Sequence, residues 1–278
     1  MNYSVTEILS YTFMQRALIV GVPVALCSAL LGVSLILKRY SMIGDGLSHV
    51  GFGSLALAAA LNLAPLKVAI PIVIVSAFLL LRISENSKIN GDGAIAIVSS
   101  SALAVGIVVT SITGGLNTDL YSYLFGSILA LSHEDVILSL VLCAIVLFLY
   151  IFFYSNIFSV TFDESFSLAT GTNAKAYNMV ISLLTALTVV LGMQIMGTLL
   201  ISSLIIFPGL TAMRVFKSFR SVVISAAVQS VLCVAIGLFV SFYAETATGA
   251  TVVCINLCCF LLFSAIGLIR TWGFSKAK

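Results

Sequence analysis

Apolar runs of about twenty residues recur from one end of the chain to the other, and this feature leaves few folds open. They fall at 17–37, 41–63, 66–82, 93–113, 136–155, 176–195, 197–213, 221–243 and 248–271. A run of about 20 residues matches a hydrocarbon layer about 30 Å thick when helical. Only helices and closed barrels can cross that layer with every backbone group hydrogen-bonded, and continuous rather than alternating runs select helices. The expected fold is therefore an all-α polytopic membrane protein, a single transmembrane domain over 1–278 with eight or nine spans. The count turns on 197–213, which is short and carries Gly197, Pro208 and Gly209, the marks of a half-helix or a bent span. With only 8% charged residues, against about 25% in soluble domains, there is no room for a sizeable soluble unit. Residues 1–16 carry Glu7 and Arg16 and lack the short apolar core of a secretory signal.

The few charges sort by side. Lys38 and Arg39, Arg82 and Lys88, Arg214, Lys217 and Arg220, and Arg270, Lys276 and Lys278 mark one set of loops. The loop 114–135 has no Lys or Arg and carries Asp119, Glu134 and Asp135. The positive-inside rule places 38–40, 82–92, 156–175, 214–220 and the C-terminus in the cytoplasm. With nine crossings the N-terminus then lies outside. The net charge of +3 reports this orientation, not nucleic-acid binding. The apolar middle of 114–135 is consistent with a helix lying on the outer interface.

One apolar run contains an acid and an imidazole. "MIGDGLSHVGFG", 42–53, holds Asp45 and His49 four residues apart, hence on one face of a helix. Counted from Tyr40, they lie about 7–13 Å into the membrane. An ionised Asp there costs several kcal/mol unless it is paired or faces water, so its default reading is functional. A carboxylate and an imidazole at this spacing share one cation, and both donors suit Zn²⁺ or Mn²⁺. Gly44, Gly46, Gly51 and Gly53 allow a second helix to approach closely; a second copy of this helix would complete a four-ligand site. The plainer alternative is an interfacial Asp45 that caps its helix beside a hydrogen-bonded His49. Ser48 and His49 point about 100° apart and do not form a nucleophile–base pair.

Other polar clusters carry less. His133, Glu134 and Asp135 in the outer acidic loop are placed to attract cations, or are a solvated loop with Ser132 as a helix cap. Cys254 and Cys258 share a helix face, but membrane cysteines serve mostly as small apolar residues. Residues 161–173, "TFDESFSLATGTN", repeat Phe162, Phe166 and Ala169 at helical spacing. Asp163 and Glu164 suit a first turn, and Gly171 suits a helix end. So short a helix is marginal in water and needs a surface to dock on, a cytoplasmic partner or the lipid interface. The chain contains no G-x-x-x-x-G-K-[ST] loop, so if ATP drives it, a separate chain binds the ATP.

Three stretches together carry a resemblance. "KRYSMIGDGLSHVGFGSLALA" (38–58), "TFDESFSLATGTN" (161–173) and "MGTLLISSLIIFPGLTAMRV" (196–215) resemble, in order and spacing, the permeases of bacterial ABC importers for zinc and manganese, the ABC-3 family. The resemblance implies a multi-pass protein of the bacterial plasma membrane, paired with a second copy of itself and with two cytoplasmic ATPase subunits. A metal-binding protein outside would deliver the ion. Asp45 and His49 match the family's metal-coordinating positions, and Phe162, Asp163, Phe166, Ala169 and Gly171 match its coupling segment. The divalent ion is cargo, and no permanently bound cofactor is expected. The "VGFG" after His49 looks more like zinc members, which makes Zn²⁺ the expected cargo and Mn²⁺ or Fe²⁺ the alternatives. A secondary metal transporter is the rival from another class, but the spans hold almost no further ionisable group to relay protons. Chelate importers and intramembrane proteases fit less well, the first lacking a use for the Asp/His pair and the second lacking another acid at depth.

Overall fold

The computed structural model describes residues 5–86, 91–113 and 133–275. Among them the regular structure is entirely helical: α1 Val5–Ser10, α2 Thr12–Leu37, α3 Ile43–Ala60, α4 Pro65–Asn86, α5 Gly91–Ile112, α6 His133–Phe152, α7 Tyr154–Phe162, α8 Glu164–Ala169, α9 Ala174–Met196, α10 Thr198–Val215, α11 Phe219–Ala244 and α12 Thr248–Ser275. Residues 114–132, where the outer interfacial helix was expected, lie outside the described residues, as do Lys88, Lys276 and Lys278.

Among the described residues, eight helices are long and apolar enough to cross a membrane: α2, α4, α5, α6, α9, α10, α11 and α12. A further long helix, α3, matches α10 in length at 18 residues but is diluted by Asp45, His49 and four glycines. The range of eight to nine spans holds, and the ambiguous element is α3 rather than 197–213.

Two helices form the centre. α2 packs on α6, α9, α10 and α11, and α9 packs on α2, α3, α4 and α10. α2 and α10 approach closely: a Cβ on Gly32 would collide with the Ile205 carbonyl oxygen, so only glycine fits. Apolar burial continues through Leu31, Leu35, Leu47, Leu184, Leu191 and Leu204 in one core. The outer helices α5 and α12 bury little and show apolar side chains such as Ile97, Val108, Leu261 and Ile269, as lipid-facing helices do.

The short segment 197–213 is one unbroken helix. α10 runs through Pro208, and the break falls before it, at Gly197, whose φ of 85° and ψ of 162° favour glycine. Gly209 is a packing position: a Cβ there would meet Ile36 Cδ1 of α2 at 2.6 Å.

Candidate functional site

α3 lies in a cradle of α4, α5, α9 and α10. Its glycines are what admit them. A Cβ on Gly44 would meet Ile205 of α10, one on Gly46 would meet Ile95 of α5, and one on Gly51 would meet Met193 of α9. Gly53 approaches the Ala102 carbonyl oxygen of α5, which a Cβ would reach at 2.6 Å. The close approach read from the sequence is present, but these contacts are made by the chain's own helices rather than by a second α3. Among the described residues, Met42, Asp45, His49 and Leu57 form a partly open stripe at helical spacing, with Ala59 and Ala60 also open at the far end of the helix.

Asp45 sits in the first turn of α3, where a carboxylate complements the helix dipole. Its side chain is 38% exposed and that of His49 is 24% exposed, so both polar tips reach out of an otherwise buried helix. His49 Nε2 lies 3.7 Å from Asp45 Oδ2, beyond hydrogen-bonding distance. A tetrahedral cation with bonds of about 2.0–2.1 Å to each would want them about 3.4 Å apart, a few tenths of an ångström closer. His49 Nδ1 is buried and has no hydrogen-bond partner among the described residues. The pair therefore faces one another across a gap suited to a shared cation rather than joined by its own hydrogen bond.

The other carboxylate oxygen is held from α10. The Ser202 hydroxyl lies 3.0 Å from Asp45 Oδ1 and 3.1 Å from the Thr198 carbonyl oxygen, and donates to one at a time. Ser48 donates to the Asp45 carbonyl oxygen at 2.7 Å, and its Oγ is 3.4 Å from Ser202 Oγ. Ser202 was missed as a functional residue although it stands inside the third family-like stretch. Its partner is 157 positions away, and nothing local points to Asp45.

Two donors are half of a metal site. Among the described residues no group of three or more His, Cys, Asp or Glu side chains converges on a metal position. His133, Glu134 and Asp135 form the first turn of α6, with His133 and Glu134 exposed. Cys254 and Cys258 are exposed on α12, and Cys233 and Cys259 approach at 3.6 Å between sulfurs. A groove of about 520 Å³ between α11 and α12, lined by Ile224, Val228, Leu232 and Phe263, includes Cys233 and Cys259 in its wall but neither Asp45 nor His49.

The segment 161–173 is built differently from the single amphipathic helix expected. The chain breaks at Asp163, which is extended at φ −148° and ψ 98°. Phe162 thus ends α7, and Asp163 is the N-cap of α8, accepting from Phe166 N at 2.9 Å. α8 stops in a left-handed turn at Gly171, φ 85°, with Thr172 N bonded to the Ser167 carbonyl oxygen. The apolar side chains of this segment face outward. Ser167 is buried, whereas Phe162 is 70% and Phe166 62% exposed, with Leu168 and Ala169 also outward. Polar groups hold α8 to the body: Ser167 Oγ lies 2.8 Å from Ser159 Oγ, and Glu164 pairs with Lys38 at 3.2 Å.

The ABC 3 transport family model matches residues 10–267. The high-affinity zinc uptake system membrane protein ZnuB of Haemophilus influenzae is 31% identical over 88% of this chain and 94% of that protein. The manganese transport system membrane protein MntC of Halalkalibacterium halodurans is 28% identical over 98% of this chain and 95% of that one. The solved structure of PsaBC from Streptococcus pneumoniae in complex with Fab superposes with a TM-score of 0.83 at 30% identity, covering 93% of both chains.

Proposed function

Because the chain belongs to the ABC 3 transport family, we propose that this metal-importer permease carries Zn²⁺ as its cargo and works as a homodimer in a bacterial plasma membrane. The observation that supports it most is the Asp45–His49 pair, partly exposed on an open stripe of α3 and steadied by Ser202. A second copy presenting the same stripe would add two more ligands and complete a tetrahedral set. His49 must be neutral to bind, so acidification weakens capture of the ion.

The remaining parts follow the same reading. The ATPase subunits dock on the outward Phe162, Phe166 and Leu168 of the cytoplasmic α7–α8 corner, with Gly171 setting the turn behind it. Asp163 keeps α8 folded at that surface as its cap. A metal-binding protein delivers the ion from the other side, where His133, Glu134 and Asp135 add a modest attraction for cations. The C-terminus is cytoplasmic and, with α3 crossing as the ninth span, the N-terminus lies outside.

Manganese is the second reading, favoured by manganese transport relatives that match nearly the whole chain. Carboxylate and imidazole serve both ions, and intrinsic affinity favours zinc. The test is uptake of Zn²⁺ against Mn²⁺ by proteoliposomes holding the complete complex, with Asp45→Asn and His49→Ala as controls. Zinc flux lost in both variants supports the site. Normal flux at normal protein level refutes it, and manganese flux that outcompetes zinc refutes the choice of cargo.

A further inference from the structure

Lys38 does not behave as a loop lysine. It caps the C-terminal end of α2, and its side chain is only 7% exposed. Its ammonium meets three acceptors: the Val160 carbonyl oxygen at 3.2 Å, Glu164 Oε2 at 3.2 Å and Asn178 Oδ1 at 2.6 Å. Asn178 Nδ2 donates in turn to Glu164 Oε1 at 3.2 Å. One side chain thus binds α7, α8 and α9 to the end of α2. Exposed lysines fix orientation without any partner, and burying an ammonium is costly unless it is fully paired. The arrangement therefore has a role beyond topology.

That role is set by what lies on either side. α8 shows its apolar residues outward, so its attachment to the body is polar, and Lys38 grips it through Glu164. On the other side the chain runs from Lys38 to Asp45 without slack. Arg39 is left-handed at φ 62°, Tyr40 N bonds the Leu35 carbonyl oxygen at 2.8 Å, and Ile43 N bonds the Tyr40 carbonyl oxygen at 3.0 Å. Asn178 continues the grip into α9, which leads through Gly197 to the helix carrying Ser202. The node touches both chain paths that end at the metal pair.

We propose that Lys38 is a positioning residue that locks α8 to the α2–α3 turn, so that a displacement of α8 by the ATPase is delivered to Asp45 and His49 as one rigid movement. This rests on the function proposed above. Without the ammonium, α8 would still present its apolar face to the ATPase but would move independently of α3.

The test uses the whole complex in proteoliposomes and compares Lys38→Met, Glu164→Ala and the double variant. Metal moved per ATP hydrolysed falls about tenfold in Lys38→Met while the ATPase still co-purifies and the zinc dissociation constant is kept. The double variant is no worse in metal moved per ATP than Lys38→Met, because Glu164 acts on the α2–α3 turn through Lys38. Loss of transport and hydrolysis in parallel, with an unchanged ratio, overturns the proposal, as does an additive double variant. If Lys38→Met does not fold, Glu164→Ala, which leaves Lys38 bonded to Asn178 and Val160, carries the comparison.

A readout independent of cargo separates this idea from the metal assignment. With Cys254 and Cys258 replaced by Ser, Met42→Cys on the open stripe is probed with a membrane-impermeant maleimide, with and without nucleotide. Reactivity changes with nucleotide when Lys38 is present and does not in Lys38→Met. A change that survives Lys38→Met, or no change even with Lys38, overturns the coupling. A Lys38-dependent change in a complex that moves no metal overturns the cargo reading instead.

Discussion

Ser202→Ala isolates the support of the Asp45 carboxylate. The substitution removes one hydroxyl from a buried position and adds no bulk. The lost contact is an O–H to carboxylate hydrogen bond of 3.0 Å, shared with the Thr198 carbonyl oxygen at 3.1 Å. A hydrogen bond to a charged group contributes about 1.5–3 kcal/mol, and sharing puts this one at the low end, about 1.5 kcal/mol. That corresponds to roughly tenfold weaker zinc binding, at the lower edge of what groups behind a metal ligand usually cost. The assay is chelator competition on the detergent-solubilised complex, read as Kd, with flux measured in parallel. Ser48→Ala is the comparator. Ser48 bonds the carbonyl oxygen of Asp45 within its own helix and should shift Kd by less than about threefold. Equal effects of the two substitutions, or an unchanged Kd in Ser202→Ala, would refute the idea that α10 orients the ligand through this bond.

Gly32→Ala is expected to lower the thermal stability of the detergent-solubilised protein by several degrees, because its Cβ would meet a backbone oxygen and not a movable side chain. Gly171→Ala has open space within 4 Å and so adds only the strain of a left-handed residue, about 1 kcal/mol, visible as a small loss of ATPase stimulation with no loss of expression. Phe162→Ser with Phe166→Ser leaves the permease folded, since neither ring is buried, but lowers co-purification of the ATPase at least tenfold in pull-down.

The sequence was informative where lipid imposes a rule and silent where two distant segments meet. Span lengths follow from the hydrocarbon thickness, so helix positions were readable to within a few residues, and Gly197 announced a break. Helices that are apolar all round carry no inside or outside, so the sequence could say that Gly44, Gly46 and Gly53 admit a neighbour without saying which. The neighbours proved to be α5 and α10. In 161–173 the periodicity pointed to a short helix with an apolar side to dock, and that side does face outward; what the sequence could not show is the break at Asp163 and the polar attachment of α8 through Glu164 and Ser167. Lys38 was misjudged for the opposite reason: a lysine at the end of a span is ordinarily solvated, and only the three acceptors gathered from α7, α8 and α9 show otherwise.

The single-residue corner at Gly197 gives α10 the geometry of a lever. Gly192 lets Ile201 lie against α9 beside the corner, so the two helices are pinned at that end. Any swing of α10 about it moves each residue in proportion to its distance along the axis. Ser202 is about 7 Å from the corner and Arg214 about 25 Å. An arc of about 3.5 Å at Arg214 is then only about 1 Å at Ser202. Because Ile205 and Gly209 pack on α2 and Arg214 on α12, the far end of α10 can travel only together with those helices, while the hydroxyl near the fulcrum stays within reach of Asp45.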